Sequence, residues 1–160
     1  MTQVGLYTKL LKRYGNPMDD PKGFQAEWMV FLNLGQWITT HIPAMPNRLY
    51  LNKDIAPVME DTLKRIISLQ AYREIHAFDG LFNIRYVRGS KTRLSLHSFG
   101  IAIDLNAANN PLGLTKKQSI EKGLVPFSNL FDEIWKDAGW TLGIDFSRPD
   151  GMHREYTAHL

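Results

Sequence analysis

Apolar positions recur along this chain at two spacings, one near three or four residues and one of two, and the change between them marks its elements. Residues 4–14 place Val4, Tyr7, Leu10, Leu11 and Tyr14 on one helical face, and Gly15 with Asn16-Pro17 closes that helix. Residues 19–23, Asp-Asp-Pro-Lys-Gly, read as a loop. Residues 24–37 hold Phe24, Trp28, Phe31 and Trp37 at a spacing that fits helix or strand alike, so they supply core or a cleft wall. Pro43 and Pro46 mark a loop, and residues 48–52 read as a short strand. Asp54 is then placed to cap a long helix with apolar Ile55, Val58, Met59, Leu63, Ile66, Ile67 and Leu69, ending between Tyr72 and Gly80. Residues 81–87 predict a second strand, and residues 88–93 a polar loop. Ile101, Ile103 and Leu105 alternate with Ala102, Asp104 and Asn106, the period of a strand. A turn-rich segment follows to Gly113. A last helix over about 128–138 carries Leu130, Phe131, Ile134 and Trp135 on one face and stops at Gly139. Short strands and helices mix without a regular βαβ rhythm, and there is no repeat or linker. The expectation is a single α+β domain over residues 1–160.

One polar residue breaks this pattern in an informative way. Asp104 sits in an otherwise apolar strand, where a carboxylate is costly to bury unless its charge is compensated. A metal ion compensates it, and His97, seven residues earlier across Gly100, is a natural co-ligand. Asp150-Gly-Met-His153 supplies a further histidine. His97, Asp104 and His153 then form a set of three protein ligands with an open fourth position, the arrangement of a catalytic zinc site. Zinc in such a site lowers the pKa of a water and polarises a carbonyl, so an amide becomes a target. Asp150, three residues before a ligand, is placed to move the water's proton to the leaving amine. Glu155 shares the face of His153 if that segment is a strand, as a partner of the histidine or as a competing base. Arg85 and Arg88, at the end of the preceding strand, suit a substrate carboxylate. Ser95, two before His97, points the same way on an extended segment and suits a hydrogen bond to substrate. Each has a plainer reading: a surface histidine, a turn aspartate before glycine, a salt-bridged arginine.

Composition narrows the chemistry. The chain has no cysteine, so disulfides and thiolate catalysis are excluded and any metal must take His and carboxylate ligands. Net charge is +3, with basic residues scattered rather than blocked. That suits solubility or a polyanionic bacterial wall, and gives little support to nucleic acid. No apolar run approaches the roughly 20 residues of a membrane span. The first residues lack the apolar core of a secretion signal, so the expectation is a chain made in the cytoplasm.

The stretch Ser95-Leu-His97-Ser-Phe-Gly100-Ile-Ala-Ile-Asp104-Leu-Asn106 resembles the S-x-H-x-x-G-x-A-x-D signature of the M15 peptidases. These are the zinc D,D-peptidases and L-alanyl-D-glutamate endopeptidases that cut bacterial peptidoglycan. Asp150-Gly-Met-His153-Arg-Glu155 is similar to the family's second motif, Phe82-Asn-Ile-Arg85 to its substrate-arginine segment, and Asn110-Pro-Leu-Gly113 to a segment found in some members. The resemblance covers about residues 81–156, with residues 1–80 as helical and strand support. It implies a small central antiparallel sheet flanked by helices, shared with the Hedgehog signalling domain. It also implies His97, Asp104 and His153 as ligands of one zinc, Asp150 as general base, and Arg85 and Ser95 as substrate contacts. Arg154 departs from the family, which often has an aromatic after the last histidine. Asp at 150, where the dipeptidases have Glu, leans towards the phage endopeptidase branch. The expected function is a monomeric zinc peptidase acting on peptidoglycan stems, with L-alanyl-D-glutamate endopeptidase favoured over D-Ala-D-Ala carboxypeptidase and a phage lysis setting. The rivals are a non-catalytic zinc or wall-binding module, against which the acidic residue at 150 speaks, and a basic nucleic-acid-binding protein.

Overall fold

A computed structural model describes residues 2–160. Helix α1 (Gln3–Tyr14) is capped by Thr2, whose hydroxyl accepts from the Gly5 amide, and ends where Gly15 takes a φ of 72°. Helix α2 (Pro21–Trp28) begins inside the segment expected to be a loop. Asp20 accepts from the Gly23 amide, and Pro21, needing no amide partner, suits the first turn. The ambiguous aromatic block resolves into both alternatives: it ends α2, forms strand β1 (Met29–Asn33) and enters α3 (Gln36–His41). Strand β1 pairs antiparallel with β2 (Arg48–Asn52), the strand expected from sequence.

Helix α4 (Ala56–Ser68) buries Met59, Thr62, Leu63, Ile66 and Ile67. Asp54 does not cap it. Its carboxylate instead accepts from Tyr14 Oη at 2.7 Å and pairs with Arg13 at 2.9 Å, tying α1 to the start of α4. The helix also ends earlier than expected, because Gln70 adopts a left-handed φ of 60° before a 3-10 turn, Ala71–Glu74.

The second sheet has the order β3 (Phe78–Gly80), β4 (Ala102–Leu105), β6 (His153–Glu155), β5 (Thr141–Leu142), all neighbours antiparallel. Residues 81–87 are not its edge strand. Their polar groups go instead to the turn that carries His97: the Asn83 amide donates to the His97 carbonyl and the Arg85 amide to Ser98 Oγ. Helix α5 (Lys116–Glu121), which periodicity did not reveal, starts in a capping box between Thr115 and Gln118. Helix α6 (Asn129–Asp137) is capped by Ser128 and buries Phe131, Ile134 and Trp135, whereas Leu130, expected on that face, is 63% exposed.

The architecture is α+β, with two small antiparallel sheets and helices packed about them. One buried cluster runs from Leu10, Phe24 and Leu49 to Phe99, Leu105 and Trp135, so the first half of the chain packs directly on the motif-bearing half. Their junction is Gly100, at a φ of 68°. A Cβ there would meet Met29 Sδ at 2.6 Å and the Asn52 amide at 2.9 Å, and that amide donates to the Gly100 carbonyl. Glycine is required both for the left-handed turn and for the close approach of β2. Among the described residues no helix is long and apolar enough to cross a membrane.

Candidate metal centre

Strands β4 and β6 bring the two motifs together through their register. Asp104 lies directly opposite His153, and Ala102 opposite Glu155. Residues opposite one another share a face, so one face of this strand pair carries the Asp104 carboxylate, the His153 ring and the Glu155 carboxylate. His97 arrives from the 3-10 turn Leu96–Phe99, whose sharp end at Gly100 feeds β4. Its ring packs edge-on to that of His153, with centres 5.1 Å apart.

His97, Asp104 and His153 each offer an atom lying within 4.8 Å of the other two. His97 Nε2 is 3.2 Å from Asp104 Oδ2, and His153 Nδ1 is 3.2 Å from Asp104 Oδ1. The outer nitrogens are already engaged: His97 Nδ1 with the Leu81 carbonyl at 2.7 Å, and His153 Nε2 with Glu155 Oε2 at 2.8 Å. Such outer partners fix the tautomer and aim the inner nitrogen. His97 Nε2 itself is buried, and its approach to Asp104 lacks hydrogen-bond geometry. A buried nitrogen without a partner is costly, and a cation between the three inner atoms removes that cost. The donor set, two imidazoles and a carboxylate with no thiolate, fits zinc.

Without metal the three groups compensate one another. Burial pushes the His153 ring towards its neutral form, but hydrogen bonds to Asp104 and Glu155 outweigh it and raise its pKa to about 9. Burial likewise opposes ionisation of Asp104, yet its contacts with His153 and His97 hold it well below the usual carboxylate range. Metal binding requires His153 without its inner proton, so below pH 9 that proton must leave. Apparent zinc affinity should therefore weaken by roughly tenfold for each unit that pH falls from 9 to 7, measured by titration against a competing chelator. The metal-free protein should show the opposite trend. The raised pKa of His153 contributes stability that is fully present below about 6.5 and lost as pH rises through about 9.

Asp150 lies half-buried in the turn before β6, and its carboxyl is pushed up chiefly by burial, with the neighbouring Asp104 charge adding to it against the pull of His153 and His97. Its Oδ1 is buried without a hydrogen bond. Backbone contacts hold the turn: the Asp150 amide donates to the Gly143 carbonyl at 2.8 Å, and the His153 amide to the Asp150 carbonyl at 3.1 Å. Gly143 is a contributor that sequence reasoning missed. A Cβ there would collide with the Asp150 carbonyl and lie 2.9 Å from Asp150 Cβ and 3.0 Å from His153 Cβ. Gly143→Ala should displace the turn and lower turnover by roughly 10²-fold, read from steady-state kinetics on metal-loaded protein.

The remaining candidates are placed less directly. Ser95 is not on an extended segment; it caps the His97 turn, its Oγ accepting from the His97 amide at 3.4 Å, and it is buried. The Arg85 side chain is exposed, while its backbone is bonded to Ser95 and Ser98 and so holds this arm against the His97 turn. Arg88 is exposed in the turn that follows. Of the other histidines, His41 bonds the Trp37 carbonyl and His159 meets Tyr14 Oη. The Leu81 carbonyl, which orients His97, is a backbone group and left no signal in the sequence.

Residues 88–156 match a family model of the M15 peptidases described as D-alanyl-D-alanine carboxypeptidase. The matched stretch is less than half of the 160 residues and contains Ser95, His97, Asp104, Asp150, His153 and Glu155, but not Arg85. No curated protein and no solved structure matches significantly. The match to this peptidase family falls on the strands and turns that assemble the cluster.

Proposed function

We propose that the chain is a zinc-dependent peptidase that hydrolyses peptide bonds in the stem peptides of bacterial peptidoglycan, as one peptidase domain over residues 1–160. The observation that carries this reading is the pair of unsatisfied buried atoms, His97 Nε2 within the three-ligand cluster and Asp150 Oδ1 in the turn leading to its third member. Buried polar atoms without partners are uncommon, and two of them beside one cluster of metal-ligating groups point to a ligand there. His97 Nε2, an Asp104 oxygen and His153 Nδ1 would hold zinc. Zinc bound there would supply Lewis acidity towards a carbonyl and towards water. Leu81 and Glu155 keep the two rings in the required tautomers. Asp150 accepts the proton of the attacking water and returns it to the leaving amine, and its raised pKa suits both halves of that task. Exposed Arg85 and Arg88 offer guanidinium groups to a substrate carboxylate, and Ser95 adds a hydroxyl beside His97.

The bond we propose is that between L-alanine and D-glutamate, in the manner of a phage endolysin, because position 150 is Asp rather than Glu. D-Ala-D-Ala carboxypeptidase activity is the second reading, favoured by the description of the matching family. Mass spectrometry of fragments released from purified peptidoglycan distinguishes them. New D-glutamate amino termini indicate the first, and loss of a single terminal alanine the second. Release of neither by zinc-loaded protein would overturn both and leave the cluster as a binding site.

A further inference from the structure

Arg154 stands between His153 and Glu155 on β6 but serves the opposite face of the sheet, since its partner across the ladder is Ile103. It is 1% exposed. Nη2 donates to Asp132 on α6 at 2.9 Å, and Nη1 donates to the Gly151 carbonyl at 2.8 Å. The guanidinium carbon lies 4.2 Å from the ring centre of Phe127, 5.4 Å from that of Phe131 and 5.6 Å from that of Trp135. Asp132 is itself buried and also takes Lys116 Nζ at 2.6 Å. A buried charge pair of this kind is a poor way to stabilise a fold, since apolar side chains of the same volume fill such a hollow without desolvating an ion. An apolar pair at 132 and 154 would dispense with both charges but would lack an N–H for the Gly151 carbonyl.

That carbonyl belongs to the turn joining Asp150 to His153. With Asp150 Oδ1 unpartnered, the position of this carboxylate depends heavily on how firmly the turn's backbone is held. Gly143 holds it from one side and the Pro149 carbonyl accepts from the Gly113 amide on another, at 2.6 Å. We propose that Arg154, anchored by Asp132, is a positioning residue for Asp150: it fixes the Gly151 carbonyl and so sets where the carboxylate stands relative to the metal ligands. The proposal rests on the reading of Asp150 as the proton acceptor.

The test compares Arg154→Met, Arg154→Lys and the double variant Asp132→Leu with Arg154→Met, which leaves no buried charge unpaired. Asp150→Asn is measured alongside, all as zinc-loaded full-length protein on a soluble stem peptide. Arg154→Met should lower kcat by roughly 10–100-fold with metal content unchanged. KM should stay within about twofold of the parent, and Arg154→Lys, which keeps a donor, should recover part of the rate. The double variant should be folded and equally slow. Parental turnover in folded, metal-loaded Arg154→Met or in the double variant overturns the proposal. So does a loss of rate that merely tracks the fraction of folded protein. Parental turnover in Asp150→Asn instead refutes the role of Asp150 and takes the proposal down with it, an outcome separable from the first two.

Discussion

Asp150→Asn should bind zinc as the parent does while turning over stem peptide roughly 10²–10⁴-fold more slowly. The amide has the size of the carboxyl and fits the same position, but it cannot accept a proton at neutral pH. Metal content should hold because the atoms within 4.8 Å of one another belong to His97, Asp104 and His153 and not to Asp150. The raised pKa of Asp150 adds a pH signature. The acidic limb of the rate profile of the parent should lie above the ordinary carboxylate range, because burial must be overcome before the group ionises. Steady-state kinetics paired with metal analysis of the same sample checks both points. Near-parental turnover would transfer the role to Glu155, whose Oε2 is already committed to His153 at 2.8 Å.

His97→Ala should lose both the metal and the activity, a fall on the order of 10⁶-fold towards the uncatalysed rate. Its Nε2 is the ligand atom with no other partner, so removing it leaves Asp104 and His153 to hold a cation alone. Two protein ligands are too few for a stable zinc site at ordinary metal concentrations. Because His97 also anchors the Leu81 carbonyl, the same experiment on the parent protein with a chelator separates metal loss from disturbance of the turn. Chelation should abolish activity and zinc should restore it. Full activity in metal-free parent protein would end the zinc reading. A His97→Ala variant that keeps its zinc would remove His97 from the ligand set.

Much of the candidate site was legible before any fold was known, for a definite reason. A carboxylate in an apolar strand is an electrostatic anomaly wherever the strand ends up, and Asp104 showed it without reference to neighbours. The spacing of Asp150 and His153 was equally local, and a period of two placed Glu155 beside His153 once that segment became β6. Local chemistry also marked α1, β2 and α6, whose apolar spacing and end signals agree. It misled where one residue had two possible partners. Asp54 looks like a helix cap, but Arg13 and Tyr14, some 40 positions away, take its carboxylate. Residues 81–87 look like a strand, but the turn bearing His97 takes their amides.

The sequence by itself determined the α+β class, the identity of the three candidate ligands and the acidic residue that accompanies them, because each depends on side-chain chemistry and short-range period. Only the tertiary structure decided how these groups are aimed. The Leu81 carbonyl behind His97, the bare Cα of Gly143 under the Asp150 turn, and Arg154 reaching across to Asp132 are all contacts between segments distant in the chain. Nothing in a local pattern records such contacts, since they exist only once β4 and β6 are paired and α6 is packed behind them.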